Sequence, residues 1–152
     1  MSTESIKIDG VGGLRSNVDQ FVGDDMELIR ANTMSALRNG GVESKQLLTP
    51  ANSASARLTV TRVILTSGAV NPRHTHRSSE QVWIAVSGEV ALLLGDGLTE
   101  PFRAGDVVRF AECDVHGAEN VGPVPFEYIA VTCPPVDFSG AYQKDWASTR
   151  KS

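Results

Sequence analysis

The sequence predicts an all-β domain of sandwich or jelly-roll type, with one N-terminal helix and a C-terminal arm. Three observations carry this reading. Thirteen of the 17 valines lie between Leu58 and Val136, a β-branched enrichment that favours extended chain. Gly and Pro clusters divide that stretch into short apolar runs. The runs follow one another at even spacing, the pattern of a sandwich or barrel rather than of βαβ units.

Residues 1–42 read as an N-terminal arm with a possible helix. Asp24 with Glu27 three places on resembles a capping box, and Met26, Ile29, Met34 and Leu37 give an apolar stripe. Gly40-Gly41 then reads as a stop, which predicts a helix near 24–38. Residues 43–136 form the barrel, with strands predicted at 43–49, 57–66, 70–76, 80–87, 89–95, 106–110, 115–120 and 126–133. Within it, LLLGDGLTEPF carries a Gly95-Asp96-Gly97 turn between strand-like flanks, a hairpin signal. Residues 137–152 form the C-terminal arm, where Phe138, Tyr142 and Trp146 fall four apart and would share a helical face. That stripe is expected to pack on the barrel or on a neighbouring subunit rather than to serve as a substrate lid.

Composition excludes several partner classes. The 152 residues fit one domain with a sizeable core. Fourteen Lys and Arg against eighteen Asp and Glu give a net charge of −4, so no basic footprint exists for nucleic acid or an anionic membrane. The apolar stretches fall short of the ~18 residues a membrane span needs. MSTESIKIDG lacks the features of a secretory signal. Cys113 and Cys133 are too few for a disulfide framework, and a reducing cytoplasm is the expected location.

The candidate chemistry lies in the three histidines, His74, His76 and His116. His74 and His76 are separated by one residue in an extended stretch, so both leave on one strand face. Neutral imidazoles so paired are natural metal ligands. Glu80 and Gln81 open the next strand, and His116, distant in sequence, opens another from which it can close the site. Strand alternation alone leaves either Glu80 or Gln81 facing inward.

At these residues the chain resembles the cupin superfamily. Gly68, AVNPR, His74-Thr75-His76, RSS, Glu80-Gln81 and Gly88 follow that family's first motif; Gly105, DVVRF, His116 and Asn120 follow its second. Residues 89–104 separate the two. Two departures stand out. Ala111 and Cys113 replace the second motif's Pro and Gly, and Gln81 occupies the glutamate slot when six residues are counted back from Gly88. Glu80 satisfies the shorter accepted gap instead. Because some small cupins use three histidines and a glutamine, the resemblance favours His74, His76, Gln81 and His116 as ligands.

The resemblance implies a cupin double-stranded β-helix of two facing antiparallel sheets holding one divalent transition metal, Fe, Mn, Ni, Co or Zn. It implies a metal-dependent enzyme on a small anionic metabolite, of dioxygenase, isomerase or sugar/uronate-processing type. The alternatives for this chain are a binding protein that holds a small ligand or metal without turnover, and a structural dimer with a vestigial site. A small-molecule ligand and a second copy of the chain are the expected partners, with residues 1–40 or 137–148 as dimer arms. Three further residues carry alternatives. Arg62 reaches a substrate carboxylate or a solvent face, Trp83 stacks on a substrate or packs in the core, and Cys113 approaches the site or is a small buried thiol.

Overall fold

The computed structural model describes residues 21–22 and 26–147. In chain order the strands are β1 (Phe21–Val22), β2 (Glu27–Leu28), β3 (Ala36–Asn39), β4 (Val42–Leu48), β5 (Thr59–Leu65), β6 (Val70–His74), β7 (Glu80–Ser87), β8 (Glu89–Leu93), β9 (Thr99–Arg103), β10 (Val107–Phe110), β11 (His116–Glu119) and β12 (Phe126–Cys133). A single α-helical turn, α1 (Ser139–Tyr142), follows. Apart from the small β1-β2 pair, the strands form a six-stranded sheet ordered β10-β7-β12-β5-β4-β3 and a four-stranded sheet ordered β6-β11-β8-β9, and every pairing is antiparallel. This is the all-β, two-sheet architecture that the sequence predicts.

The period-two pattern explains why these segments become strands. Phe126, Tyr128, Ala130 and Thr132 of β12 are buried while their neighbours are partly exposed, as a half-buried strand requires. Trp83, Ala85, Val63 and Leu65 from the larger sheet meet Val90, Leu92 and Phe102 from the smaller one in a continuous core. Removing this apolar surface from water is the main force holding the sheets together.

Over its described residues, 26–38, the predicted helix near 24–38 does not form. Asp24 lies outside the described residues. Glu27 sits in β2, where its carboxylate accepts hydrogen bonds from the Ser53 hydroxyl and the Ala54 amide. Beyond one 3-10 turn at Ala31–Thr33 the chain enters β3. Gly40 and Gly41 have φ of 52° and 87° and join β3 to β4, with Asn39 opposite Val42. Two consecutive positive-φ residues are the signature of a two-residue hairpin rather than a helix stop. The apolar spacing also runs 3, 5 and 3, which is not a clean helical stripe.

The Gly95-Asp96-Gly97 segment turns between β8 and β9 as a hairpin. Beyond β12, α1 is too short to place Phe138, Tyr142 and Trp146 on one helical face. The segment packs on the barrel instead. Trp146 is buried, Tyr142 lies against its ring at 4.8 Å, and Asn39 Nδ2 donates to the carbonyls of Tyr142 and Lys144. Among the described residues, no helix is long and apolar enough to cross a membrane.

Candidate metal centre

Two adjacent strands of the smaller sheet bring the histidines together. His116 on β11 is the cross-strand partner of His74 on β6, and their ring centroids lie 4.3 Å apart. Gly117 permits this approach, because a Cβ there would lie 2.6 Å from the Asn71 carbonyl oxygen. His76 follows just after β6, 5.0 Å from His74 and 5.1 Å from His116 by ring centroid. The candidate ligand atoms of the three lie within 4.8 Å of one another, so the cluster can hold a metal ion.

Hydrogen bonding fixes which nitrogens face inward. His74 Nδ1 lies 2.7 Å from the Pro72 carbonyl and His116 Nδ1 2.8 Å from the Asp114 carbonyl. A carbonyl only accepts, so in the neutral rings both Nδ1 atoms carry the proton and Nε2 is left as a lone-pair donor for an ion. The buried Nε2 of His76 has no hydrogen-bond partner. Burial depresses all three pKa values, with neighbouring imidazoles adding to the effect on His76 and His116. His74 is lowered, His76 falls to about 4 and His116 to about 3. At neutral pH the cluster is therefore uncharged.

Gln81 completes the group from the opposite sheet. Strand β7 turns Gln81, Trp83 and Ala85 inward and Glu80 outward, which resolves the alternation that the sequence leaves open. The Trp83 indole N–H donates to Gln81 Oε1 at 2.6 Å, and Gln81 Nε2 donates to Thr132 Oγ1 at 2.7 Å. Indole nitrogen is only a donor, so the amide orientation is determined. Gln81 Oε1 then faces His116 Nε2 at 3.2 Å. Two lone-pair atoms meet there, and burial opposes protonating the imidazole between them. Glu80 is instead paired on the outside with Arg109, Oε2 to Nη2 at 2.7 Å.

The other singled-out residues lie elsewhere or play mixed parts. Arg62 is on the outer face of the six-stranded sheet, ion-paired with Glu127, and does not line the cavity. Cys113 is exposed, so the buried-thiol reading is corrected, and its sulfur lies 3.9 Å from the Arg77 carbonyl. Its φ of 65° shows that it occupies a left-handed position suited to glycine. The Cys113 amide donates to the His76 carbonyl at 2.8 Å and ties the two histidine-bearing segments together. Trp83 is a core residue that also reaches the cavity, with its ring against Tyr128 at 4.3 Å.

A cavity of about 460 Å³ opens beside His74, His76 and Gln81, and His116 lies behind them. Its roof is the chain after β12, including Phe138, whose ring meets His76 at 5.7 Å. Ser79 holds the start of this roof by donating to the Pro134 carbonyl at 2.9 Å. Thus the C-terminal segment both packs on the barrel and covers the site. Asn71, Tyr128 and Ser44, which sequence reasoning did not single out, also line the cavity, together with Tyr142 of the C-terminal aromatic stripe. Alternation along β12 carries a signal for Tyr128 and Thr132, alternation along β4 one for Ser44, and the four-residue spacing of Phe138, Tyr142 and Trp146 one for Tyr142.

Residues 61–132 match the family model described as Cupin domain. Among solved structures, an uncharacterized protein with a double-stranded β-helix domain from Klebsiella pneumoniae is 28% identical, covering 64% of this chain and 81% of its own, with a TM-score of 0.59. KdgF from Halomonas is 21% identical over 71% of this chain and 94% of its own, with a TM-score of 0.60. A predicted oxalate decarboxylase from Thermotoga maritima is 23% identical over 70% and 98%, with a TM-score of 0.61. Comparison with curated proteins gives no match.

Proposed function

With the chain a member of the cupin superfamily, we propose that it is a mononuclear metal-dependent enzyme. His74, His76 and His116 bind the ion through Nε2, and Gln81 binds it through Oε1. The observation that carries this reading is the contact between His116 Nε2 and Gln81 Oε1 at 3.2 Å, two buried acceptor atoms facing each other that a shared cation would satisfy together. A separation of this size would let both atoms reach one shared ion at the usual ~2.1 Å bond length. The partnerless Nε2 of His76 supplies a third donor.

Four neutral ligands leave the full divalent charge of the ion to a substrate anion and leave coordination positions open. The bound metal would act as a Lewis acid, or, if iron, as the centre that binds dioxygen. Imidazole and amide oxygen suit Fe, Mn, Ni, Co or Zn without selecting among them. The chain's own contribution is orientation and exclusion of water. Carbonyls hold His74 and His116, the Trp83 indole holds Gln81, and the segment carrying Phe138 covers the cavity. The neighbours below 25% identity share the fold, and their reactions do not transfer.

The test is turnover by the reconstituted protein. Protein loaded separately with Fe(II), Mn(II), Ni(II), Co(II) or Zn(II) is incubated with oxygen-bearing organic acids and sugars and followed by NMR and oxygen uptake. Conversion that disappears on chelation and in His116→Ala supports the enzyme. Ligand recovered bound and unchanged under every metal supports a binding protein instead.

A further inference from the structure

The cavity walls say more about the ligand than the metal cluster does. Trp83, Tyr128, Phe138, Tyr142 and Trp146 all face this space. Trp83 and Tyr128 lie ring against ring, Tyr142 and Trp146 form a second pair, and Phe138 stands edge-on to His76. Asn71, Ser44, Thr61 and the two tyrosines bring neutral polar groups to the same lining. Asn71 Nδ2 donates to the Tyr128 hydroxyl at 3.3 Å, and Ser44 and Thr61 add hydroxyls beside them. Burial raises the Tyr128 pKa well above the ordinary value and pushes Tyr142 up to about 12, so both phenols keep their protons at neutral pH.

Among the described residues, the cationic residues along the lining besides the histidines are Arg73 and Lys144. Both are exposed. The Arg73 guanidinium is committed to the carbonyls of Leu94 and Leu98. Lys144 shares its part of the wall with the exposed carboxylates of Asp137 and Asp145. A carboxylate or phosphate held away from the metal would therefore lie against aromatic rings and neutral hydroxyls. Burying a charge without a partner is strongly unfavourable. Flat π-surfaces, by contrast, pack well in offset or edge-on contact with rings of this kind.

Building on the metal-site reading above, we infer that the ligand is an aromatic or similarly flat ring compound, uncharged along its body, with oxygen donors at the histidine end. Its far end carries at most a neutral hydroxyl, carbonyl or amide, which Ser44, Asn71 and the two phenols meet. Any negative charge sits on the metal-facing oxygens. Uronates and sugar phosphates, whose charge and hydroxyls extend over the whole molecule, fit these walls poorly.

Calorimetry under nitrogen with three probes tests this. The probes are 2-naphthol with metal-free protein, and 2,3-dihydroxynaphthalene and galacturonate with Ni(II)-loaded protein. The expected result is measurable 2-naphthol binding, with the naphthalenediol favoured over galacturonate by roughly tenfold or more. Phe138→Ala should weaken both ring probes by about 5- to 10-fold, the 2-naphthol loss in metal-free protein being independent of any change in nickel affinity, and Phe138→Tyr should restore them. Galacturonate binding as tightly as the naphthalenediol overturns the inference, as do ring-probe affinities that ignore Phe138→Ala. If nickel fails to bind while 2-naphthol still does, the metal reading falls and the ring inference is supported.

Discussion

The indole N–H of Trp83 donates to the side-chain oxygen of Gln81 across 2.6 Å, two residues apart on one inward face of β7. A core tryptophan thereby decides which end of a buried amide faces the histidines. The same ring packs edge-on to His116 at 5.6 Å and to Phe110 at 5.1 Å. The larger sheet thus orients the oxygen donor, while the smaller sheet supplies the nitrogens.

Trp83→Phe keeps an aromatic ring in the core and removes this donor. We expect metal affinity to fall about tenfold, the scale typical of losing a hydrogen bond that orients a ligand. Competition titration against a chelator reads the change. Unaltered affinity in a folded variant would show that Gln81 needs no such support.

Metal-free protein should lose stability as it is acidified. In the unfolded chain each histidine takes up a proton near pH 6.5, whereas in the fold His76 holds out to about 4 and His116 to about 3, with His74 also lowered. Below pH 6.5 the unfolded state binds more protons than the native one. Stability is therefore fully present above that pH and lost progressively toward pH 3–4. The slope is about 1.4 kcal/mol per pH unit for a histidine that titrates only on unfolding, a limit His116 approaches more closely than the partly exposed His76, whose share solvent screening reduces. Urea melts at pH 7.5 and 5.0 measure it, and a His76→Ala variant should show a shallower dependence.

Cys113→Gly should stabilise the fold. Left-handed backbone costs a non-glycine residue about 1–2 kcal/mol, and glycine returns about 0.5–1 kcal/mol of that as extra freedom in the unfolded chain. A net gain of about 0.5–1 kcal/mol is expected by urea denaturation, with no change in metal content.

A homodimer through the outer face of the six-stranded sheet is our proposal for the oligomer. Ile84 and Val107 are cross-strand partners there, 40% and 63% exposed, and Val86 on the same face of β7 is 49% exposed. Sedimentation should give about twice the 16.2 kDa chain mass, and Ile84→Lys should shift the population toward the single chain. A 16.2 kDa species from the unaltered protein at working concentration excludes the dimer.

Much of this was legible in the sequence because period-two burial leaves a direct trace. The eight predicted strands, the Gly95–Gly97 hairpin and the shared face of His74 and His76 all rest on that pattern, whereas β3 and β9 of the ten strands in the two sheets are not among the predicted ones. The N-terminal helix failed because a Gly-Gly pair reads alike as helix stop and hairpin turn, and only pairing of β3 with β4 distinguishes them. Gln81 and Glu80 could not be separated by alternation, since Val82 and Trp83 are both apolar. Their faces are set by which side of β7 meets the smaller sheet. That Ser44, Asn71, Tyr128 and Tyr142 converge on one cavity depends on contacts between strands and the C-terminal segment far apart in sequence, which spacing within each segment does not record.

The central claim is a single ion held by His74, His76, Gln81 and His116, and metal content by plasma emission spectroscopy, paired with affinity titration of variants, tests it most directly. We expect one ion per chain in the unaltered protein. Gln81→Ala and His116→Ala should lower affinity by at least 10- to 100-fold, the range already seen when only an outer hydrogen-bond partner is lost. Glu80→Ala should leave the site filled. A site emptied by Glu80→Ala but retained in Gln81→Ala, or full metal in His116→Ala, would contradict the account.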